Sequence, residues 1–252
     1  MDLKISGKCA IVTGGSRGVG RGICLALAKE GANVVINYNS SSEAALKVKE
    51  EIEKIGGKAI AVKADLGNPE DCKKLIDEGE KAFGNVDILI NNAGIWPKNW
   101  VEDISLDEWN KTIDVNLTSV FLTSQAFIRK NIEKERPCKI LNVTSQAAFN
   151  GSTTGHAHYA ASKAGVVSLT VSMAREMAKH NININAIALG IVETDMTKKA
   201  LNEKEDYYLN RIPIGRVATP KDIANIVLFL VSEPASYITG ATIDATGGML
   251  MR

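Results

Sequence analysis

The amino-acid sequence predicts a single α/β domain, a doubly wound parallel sheet of about seven strands with helices on both faces. Three observations carry that expectation. Short apolar runs alternate with helix-length amphipathic segments from one end of the chain to the other, the pattern of repeated strand-helix-strand units. The first apolar run passes directly into a glycine-rich turn and then into helix-like sequence. The 252 residues, 45% hydrophobic and 23% charged, suffice for one large core, and no repeat, low-complexity tract or linker divides them.

Strands are expected at residues 9–13, 33–37, 59–63, 88–91, 140–144, 182–188 and 241–244. Helices are expected to begin near Gly18, Ser42, Pro69, Ser105, Tyr159 and Pro220. Ser42 and Ser105 suit a helix start, and Pro69 and Pro220 suit a first turn that has no use for an N–H. The stretch 193–214 follows the sixth strand with mixed composition. It reads equally as a mobile lid over the strand ends or as a surface helical hairpin.

Charge is nearly balanced, 30 Lys plus Arg against 29 Asp plus Glu, so no global field draws nucleic acid or an anionic membrane. Cys9, Cys24, Cys72 and Cys138 show no metal or redox spacing and read as reduced core thiols. The opening residues lack an apolar signal core, and no run is long and apolar enough to span a bilayer. A cytoplasmic protein is expected.

The turn Thr13-Gly14-Gly15-Ser16-Arg17-Gly18-Val19-Gly20 is the first chemical landmark. Glycines let backbone approach a pyrophosphate closely, and the N-terminus of the next helix favours its charge. The spacing is G-x-x-x-G-x-G in place of the commoner G-x-G-x-x-G, and a dinucleotide is expected against it. At the end of the second strand an NAD site would place a carboxylate for the ribose. Here the chain reads Asn37-Tyr38-Asn39-Ser40-Ser41, with no acid before Glu43. Arg17 and the polar groups of Asn37, Asn39, Ser40 and Ser41 suit a 2′-phosphate, which predicts NADP(H). The alternative is a promiscuous site in which Arg17 only solvates the loop.

Tyr159 and Lys163 form the second landmark. At i and i+4 they share a helix face. An ammonium near a phenol of ordinary pKa about 10 favours the ionised form, making the phenol a usable acid or base near neutrality.

Taken in order, these motifs resemble the single-domain short-chain dehydrogenase/reductase family, with its Rossmann-type sheet, from about Gly7 to Met249. Ala64, Asp65 and Leu66 resemble the family's adenine contact. Asn91-Asn92-Ala93-Gly94 resembles the segment beside the adenosine, and Gly190, Val192 and Thr194 its nicotinamide contacts. The resemblance implies a catalytic set of Asn116, Ser145, Tyr159 and Lys163. Tyr159 would protonate a ketone oxygen as hydride arrives, Ser145 would hold that oxygen, and Lys163 would depress the Tyr pKa and bind the cofactor ribose. Asn116 would support a water linking Lys163 to solvent. Two departures are Leu189-Gly190 for the usual Pro-Gly and Ala245-Thr246-Gly247-Gly248 for Val-Asp-Gly-Gly. The second predicts altered local hydrogen bonding.

Segments such as Glu193-Thr194-Asp195-Met196 and Tyr237-Ile238-Thr239-Gly240 resemble 3-oxoacyl-acyl-carrier-protein reductases. That likeness implies a ketone or alcohol substrate, possible delivery on an acyl-carrier protein, and a homotetramer. Arg136 and Arg175 stand at the positions resembling the carrier-docking arginines, or are ordinary salt-bridging residues. Trp96 and Trp100 are candidate walls for a bulky cyclic ketone, or core and subunit contacts. Phe149, His156 and His158 are further candidates for the border of that pocket. A sugar, polyol or steroid dehydrogenase is the runner-up, and a catalytically silent NADP-binding sensor or scaffold the rival from another class. With no third ligand for His156 and His158, no metal is expected.

Overall fold

The computed structural model describes residues 2–152 and 154–252, apart from the side chains of residues 199 and 200. The seven expected strands are all present: β1 (Cys9–Val12), β2 (Asn33–Tyr38), β3 (Lys58–Lys63), β4 (Ile88–Asn91), β5 (Cys138–Ser145), β6 (Ile182–Leu189) and β7 (Thr242–Ala245). They form one parallel sheet in the order β3-β2-β1-β4-β5-β6-β7. The order reverses between β1 and β4, and in such sheets a crevice opens there at the carboxyl ends of the strands.

Around the sheet lie α1 (Gly18–Lys29), α2 (Ser42–Lys54), α3 (Pro69–Phe83), α4 (Leu106–Ile113), α5 (Ser119–Glu133), α6 (Ala147–Asn150), α7 (Ala157–Met177), α8 (Asp195–Leu209) and α9 (Pro220–Leu230). The period-2 alternation of a strand sends its neighbours to opposite layers. Ala10 and Val12 of β1 join Ile23 and Leu27 of α1 and Ile223 and Val227 of α9 in one core. Cys9 and Ile11 join Leu75 and Ile76 of α3 and Phe127 of α5 in the other. Covered on both sides, β4 and β5 are buried throughout, so the polar residues they carry among their apolar ones, Asn91 and Asn142 included, are buried too.

Helix starts follow local chemistry. The Asn68 side chain accepts from Glu70 N ahead of Pro69, and Ser105 accepts from Glu108 N. Thr219 and Asp222 form a reciprocal capping box around Pro220. Boundaries differ from expectation in two informative places. β5 begins two residues early and extends to Ser145, placing that serine at the strand's carboxyl end. The helix expected from Ser105 is two helices joined by a π-helical turn, Asp114–Thr118. Within 193–214, α8 is interrupted at Lys204, whose φ of −144° and ψ of 40° are non-helical. All four cysteines are free and buried; burial pushes Cys9 and Cys138 up to about 12 and Cys72 to about 11, so they stay protonated. Among the described residues no helix is long and apolar enough to cross a membrane.

A ladder of polar side chains crosses this apolar interior. Asn91 Nδ2 donates to Asn142 Oδ1 at 2.9 Å and to Ser124 Oγ at 3.0 Å, and Asn91 Oδ1 accepts from Thr123 Oγ1 at 2.8 Å. Asn142 Nδ2 donates onward to Thr170 Oγ1 at 2.9 Å. All five residues are buried. The ladder ties β4 and β5 to α5 and α7. Asn91→Leu removes the central member and leaves Asn142 Oδ1 and Ser124 Oγ without their donor, while Thr123 Oγ1 keeps its bond to Ser119 O, so it is expected to destabilise the fold by about 2 to 4 kcal/mol. A urea denaturation midpoint equal to wild type would refute a structural role for the ladder.

Candidate active site

The crevice at the β1–β4 reversal is a cleft of about 700 Å³. Every residue expected to touch the nucleotide, from Gly14 to Thr194, lines it, as do Ser145, Trp96 and Tyr159. At one end stands α1, whose start has no side-chain cap and whose first turn holds no acid. Its leading N–H groups and positive dipole end are left for an external anion. The loop packs tightly onto this helix start because Gly20 lacks a side chain: a Cβ there would lie 2.2 Å from Gly14 O and 2.7 Å from Asn92 Nδ2. An uncapped helix end behind a loop that excludes side chains fits a dinucleotide pyrophosphate.

The loop is braced from below. Thr13 Oγ1 accepts from the N–H of Asn92 at 2.8 Å and of Ala93 at 2.9 Å, fastening the end of β4 to β1. Asn92 Nδ2 donates to Thr13 O at 2.9 Å. The 2′-phosphate expectation needs one correction. Asn37 is 2% exposed, and its amide is committed to the backbone: Oδ1 accepts from Gly14 N and Nδ2 donates to Ala64 O, both at 3.1 Å. It shapes the loop, while Arg17, Asn39 and Ser40 are the exposed polar residues of that corner.

At the other end, Ser145 closes β5 and Tyr159 and Lys163 project from the first two turns of α7. Thr144 Oγ1 donates to Lys163 O at 2.8 Å, locking helix to strand. Lys163 is buried; its Nζ donates to Val143 O at 2.9 Å and lies 5.8 Å from the centre of the Tyr159 ring. Burial pushes the ammonium down to about 8. Burial also raises the Tyr159 phenol above its ordinary value, and the Ser145 hydroxyl pulls it partway back. The expectation that Lys163 depresses the phenol is thus corrected: burial sets the direction, and the opposing influence comes from Ser145.

Asn116 sits behind the cleft wall, in the π-helical turn, fully buried. Its Oδ1 accepts from Ile95 N at 2.8 Å, and its Nδ2 donates to Ile95 O at 3.0 Å and Ser162 Oγ at 3.1 Å. Its amide therefore clamps the loop after β4 to α7. A Cβ on Gly94 would meet Asn116 Oδ1 at 3.2 Å and Lys163 Nζ at 3.5 Å, so both groups crowd against that glycine.

Of the two tryptophans, Trp96 lines the cleft and Trp100 does not; Trp100 is 54% exposed in a surface turn. Phe149 is also off the cleft, with the Arg252 guanidinium 3.7 Å above its ring. His156 lines the cleft, and fully buried His158 turns to Glu108, with Nε2 3.3 Å from Oε1. Arg136 precedes β5, at the end of the strand opposite Ser145, and its guanidinium pairs with Asp87 at 2.6 Å. Arg175 is exposed in the last turn of α7. In the altered carboxyl-end motif, Thr246 Oγ1 accepts from Leu250 N at 3.1 Å. The sequence reading missed Thr13, the Asn91 ladder, and cleft residues Gln146, Asn150, Tyr207, Tyr208 and Arg211. The alternation of Asn91 and Asn142 within apolar strands was a signal for the ladder; the cleft residues carry none in the sequence.

Such a site defines an oxidoreductase working beside a nicotinamide cofactor. Comparison with known proteins makes the class specific. A family model described as enoyl-(acyl carrier protein) reductase matches residues 14–250. The chain is 43% identical over 244 residues to 3-oxoacyl-acyl-carrier-protein reductase FabG of Staphylococcus epidermidis, covering 97% of this chain and 99% of that one. A short chain dehydrogenase from Burkholderia cenocepacia, solved in complex with NADP, superposes with a TM-score of 0.91 at 34% identity, covering 98% and 99% of the two chains. A 7 alpha-hydroxysteroid dehydrogenase complexed with NADH and 7-oxo glycochenodeoxycholic acid gives 0.93 at 35% identity, covering 98% and 96%. The chain belongs to the short-chain dehydrogenase/reductase family.

The buried ammonium makes a pH prediction. Below about pH 8 Lys163 is charged in both the folded and unfolded protein, and the full cost of burying it is present. Between about 8 and the ordinary lysine value of 10.5 the unfolded chain binds more protons, so this contribution favours folding increasingly as pH rises. The stability of wild type relative to Lys163→Met should therefore improve across that window in denaturation at stepped pH. A flat difference would contradict the burial of a titrating lysine.

Proposed function

We propose that the protein reduces a ketone to a secondary alcohol with NADPH, and that 3-oxoacyl thioesters are its principal substrates. The observation that carries this reading is the grouping of Ser145, Tyr159 and buried Lys163 at the inner end of the cleft that begins at the bare start of α1. When bound, a nicotinamide dinucleotide supplies the hydride. Tyr159, held protonated at neutral pH, gives its phenolic proton to the carbonyl oxygen. Ser145 donates a hydrogen bond to the same oxygen and fixes its place. Lys163, with its pKa near 8, exchanges a proton with water close to neutrality and so serves to restore the phenol. Arg17 supports the preference for a 2′-phosphate, since it is exposed and lines the same cleft as the exposed Asn39 and Ser40.

The thioester assignment is supported by the near full-length likeness to FabG proteins. Arg136 is paired with Asp87, so an acyl-carrier protein would dock by other residues. A second reading, a sugar, polyol or steroid ketone, is favoured by the aromatic wall at Trp96 and His156. We further propose one domain across residues 1–252, α8 and its flanks as the lid, and a homotetramer as the working assembly.

Tyr159→Phe is expected to lower kcat by about 10² to 10⁴ with NADPH affinity nearly unchanged, as read by initial rates and fluorescence titration. Full activity in that variant would refute the mechanism. Arg17→Glu should weaken NADPH by about tenfold or more while leaving NADH nearly unaffected; equal losses would overturn the phosphate assignment. Initial rates of NADPH oxidation with acetoacetyl thioesters, sugars and bulky cyclic ketones separate the substrate classes.

A further inference from the structure

We infer that His156 is a specificity-determining hydrogen-bond acceptor, selecting ketones that carry an O–H or N–H donor apart from the reacting carbonyl. The inference rests on the ketone-reductase reading above and deepens it. His156 immediately precedes α7 and lines the same cleft as Ser145 and Tyr159. Its Nδ1 lies 2.7 Å from Pro97 O. A carbonyl oxygen can only accept, so Nδ1 must carry the hydrogen, and the neutral ring presents a bare lone pair at Nε2. Among the described residues Nδ1 makes the ring's one hydrogen bond, which leaves Nε2 without a protein partner there. His156 is only 5% exposed, and it lines the cleft.

The ring's plane and protonation are both fixed in advance. It stacks on Trp96 with centroids 4.4 Å apart and planes 19° off parallel. The backbone beside it is held by the Asn99–His156 bridge and by Asn99 N donating to Gly155 O at 2.8 Å. Burial holds the imidazole below its ordinary pKa; the Pro97 bond opposes this, and His158 and Lys98 reinforce it. In the neutral ring Nδ1 is the donor to Pro97 O and Nε2 is an acceptor alone. A ketone without a donor strips water from Nε2 and returns nothing, whereas one with a donor restores the bond. That asymmetry, rather than apolar contact, separates substrates in a closed site. Two donors have suitable chemistry: a hydroxyl of a cyclic or polyol ketone, and the amide N–H of an acyl-carrier thioester arm.

The test is kcat/KM for NADPH-dependent reduction of two matched pairs. Cyclohexanone is set against 2-hydroxycyclohexanone, and the S-butyl thioester of acetoacetate against its N-acetylcysteamine thioester. Wild type should prefer the donor-bearing member of at least one pair by about tenfold, chiefly through KM, and the pair that responds identifies the donor. His156→Phe keeps a ring against Trp96 but has no acceptor, and should abolish the preference. His156→Gln, with an N–H for Pro97 and an oxygen for the substrate, should restore part of it. NADPH fluorescence titration reports folding of each variant; if His156→Phe does not fold, wild type and His156→Gln decide. Equal efficiency within both pairs, or a preference that survives in His156→Phe, overturns the inference while leaving the reductase reading intact. Turnover of none of the four ketones overturns both.

Discussion

The hydrogen bond from Asn91 to Asn142 is the constraint on which the rest of the molecule is aligned. The backbone ladder joins each strand of a parallel sheet to the next but pairs as well in one register as in another two residues away, and the apolar packing that would choose between them is tolerant. An amide pair in that interior is not tolerant, because any shift leaves a dry polar atom without a partner. Through Asn142 and Thr170 the same chain of bonds reaches α7, and through Ser124 and Thr123 it reaches α5. Ser145 lies three residues beyond Asn142 on one strand. Lys163 lies seven residues before Thr170 on the helix that the ladder holds. The polar core thus carries positional accuracy from the middle of the sheet to the reacting groups.

At the site itself, burial does more than proximity to set protonation. The protein surrounds Lys163 closely enough to bring its pKa near neutrality and leaves Tyr159 a proton donor. The opposite policy operates at α1. Where α3, α4 and α9 satisfy their leading N–H groups with their own side chains, α1 has neither a side-chain cap nor an acid in its first turn. An oxidoreductase built this way takes its electrostatics from withheld partners as much as from charges supplied.

The strand pattern was legible because each strand is short, apolar and punctuated, and the parallel sheet followed from alternation with helices, whereas the order of its strands came only from the structure. The glycine loop was legible for a related reason: few functions require backbone so free of side chains directly after a strand. Asn37 misled the reading because residue type shows that a side chain can reach a phosphate, not that its donors and acceptors are already committed to Gly14 and Ala64. The two tryptophans separated only in three dimensions, since four residues of irregular backbone can place them on different surfaces. The π-helical turn is a single insertion inside otherwise helical sequence, and the helical periodicity on either side of it carries no sign of where it falls.

That turn has a further meaning for how the chain can vary. A helix with one wider turn advances like its neighbours but is rotated by about 100° relative to an unbroken one, the angle of a single residue. The turn is therefore a phase shifter between two segments that each have a fixed face to present: Thr112 buried on the near side, Ser124 and Phe127 on the far side, and Asn116 turned inward at the shift itself. Substitutions in this stretch alter contacts locally, whereas a gain or loss of one residue would change the rotational phase of everything on one side of it. Length, more than composition, is what the geometry demands between Thr112 and Ser124.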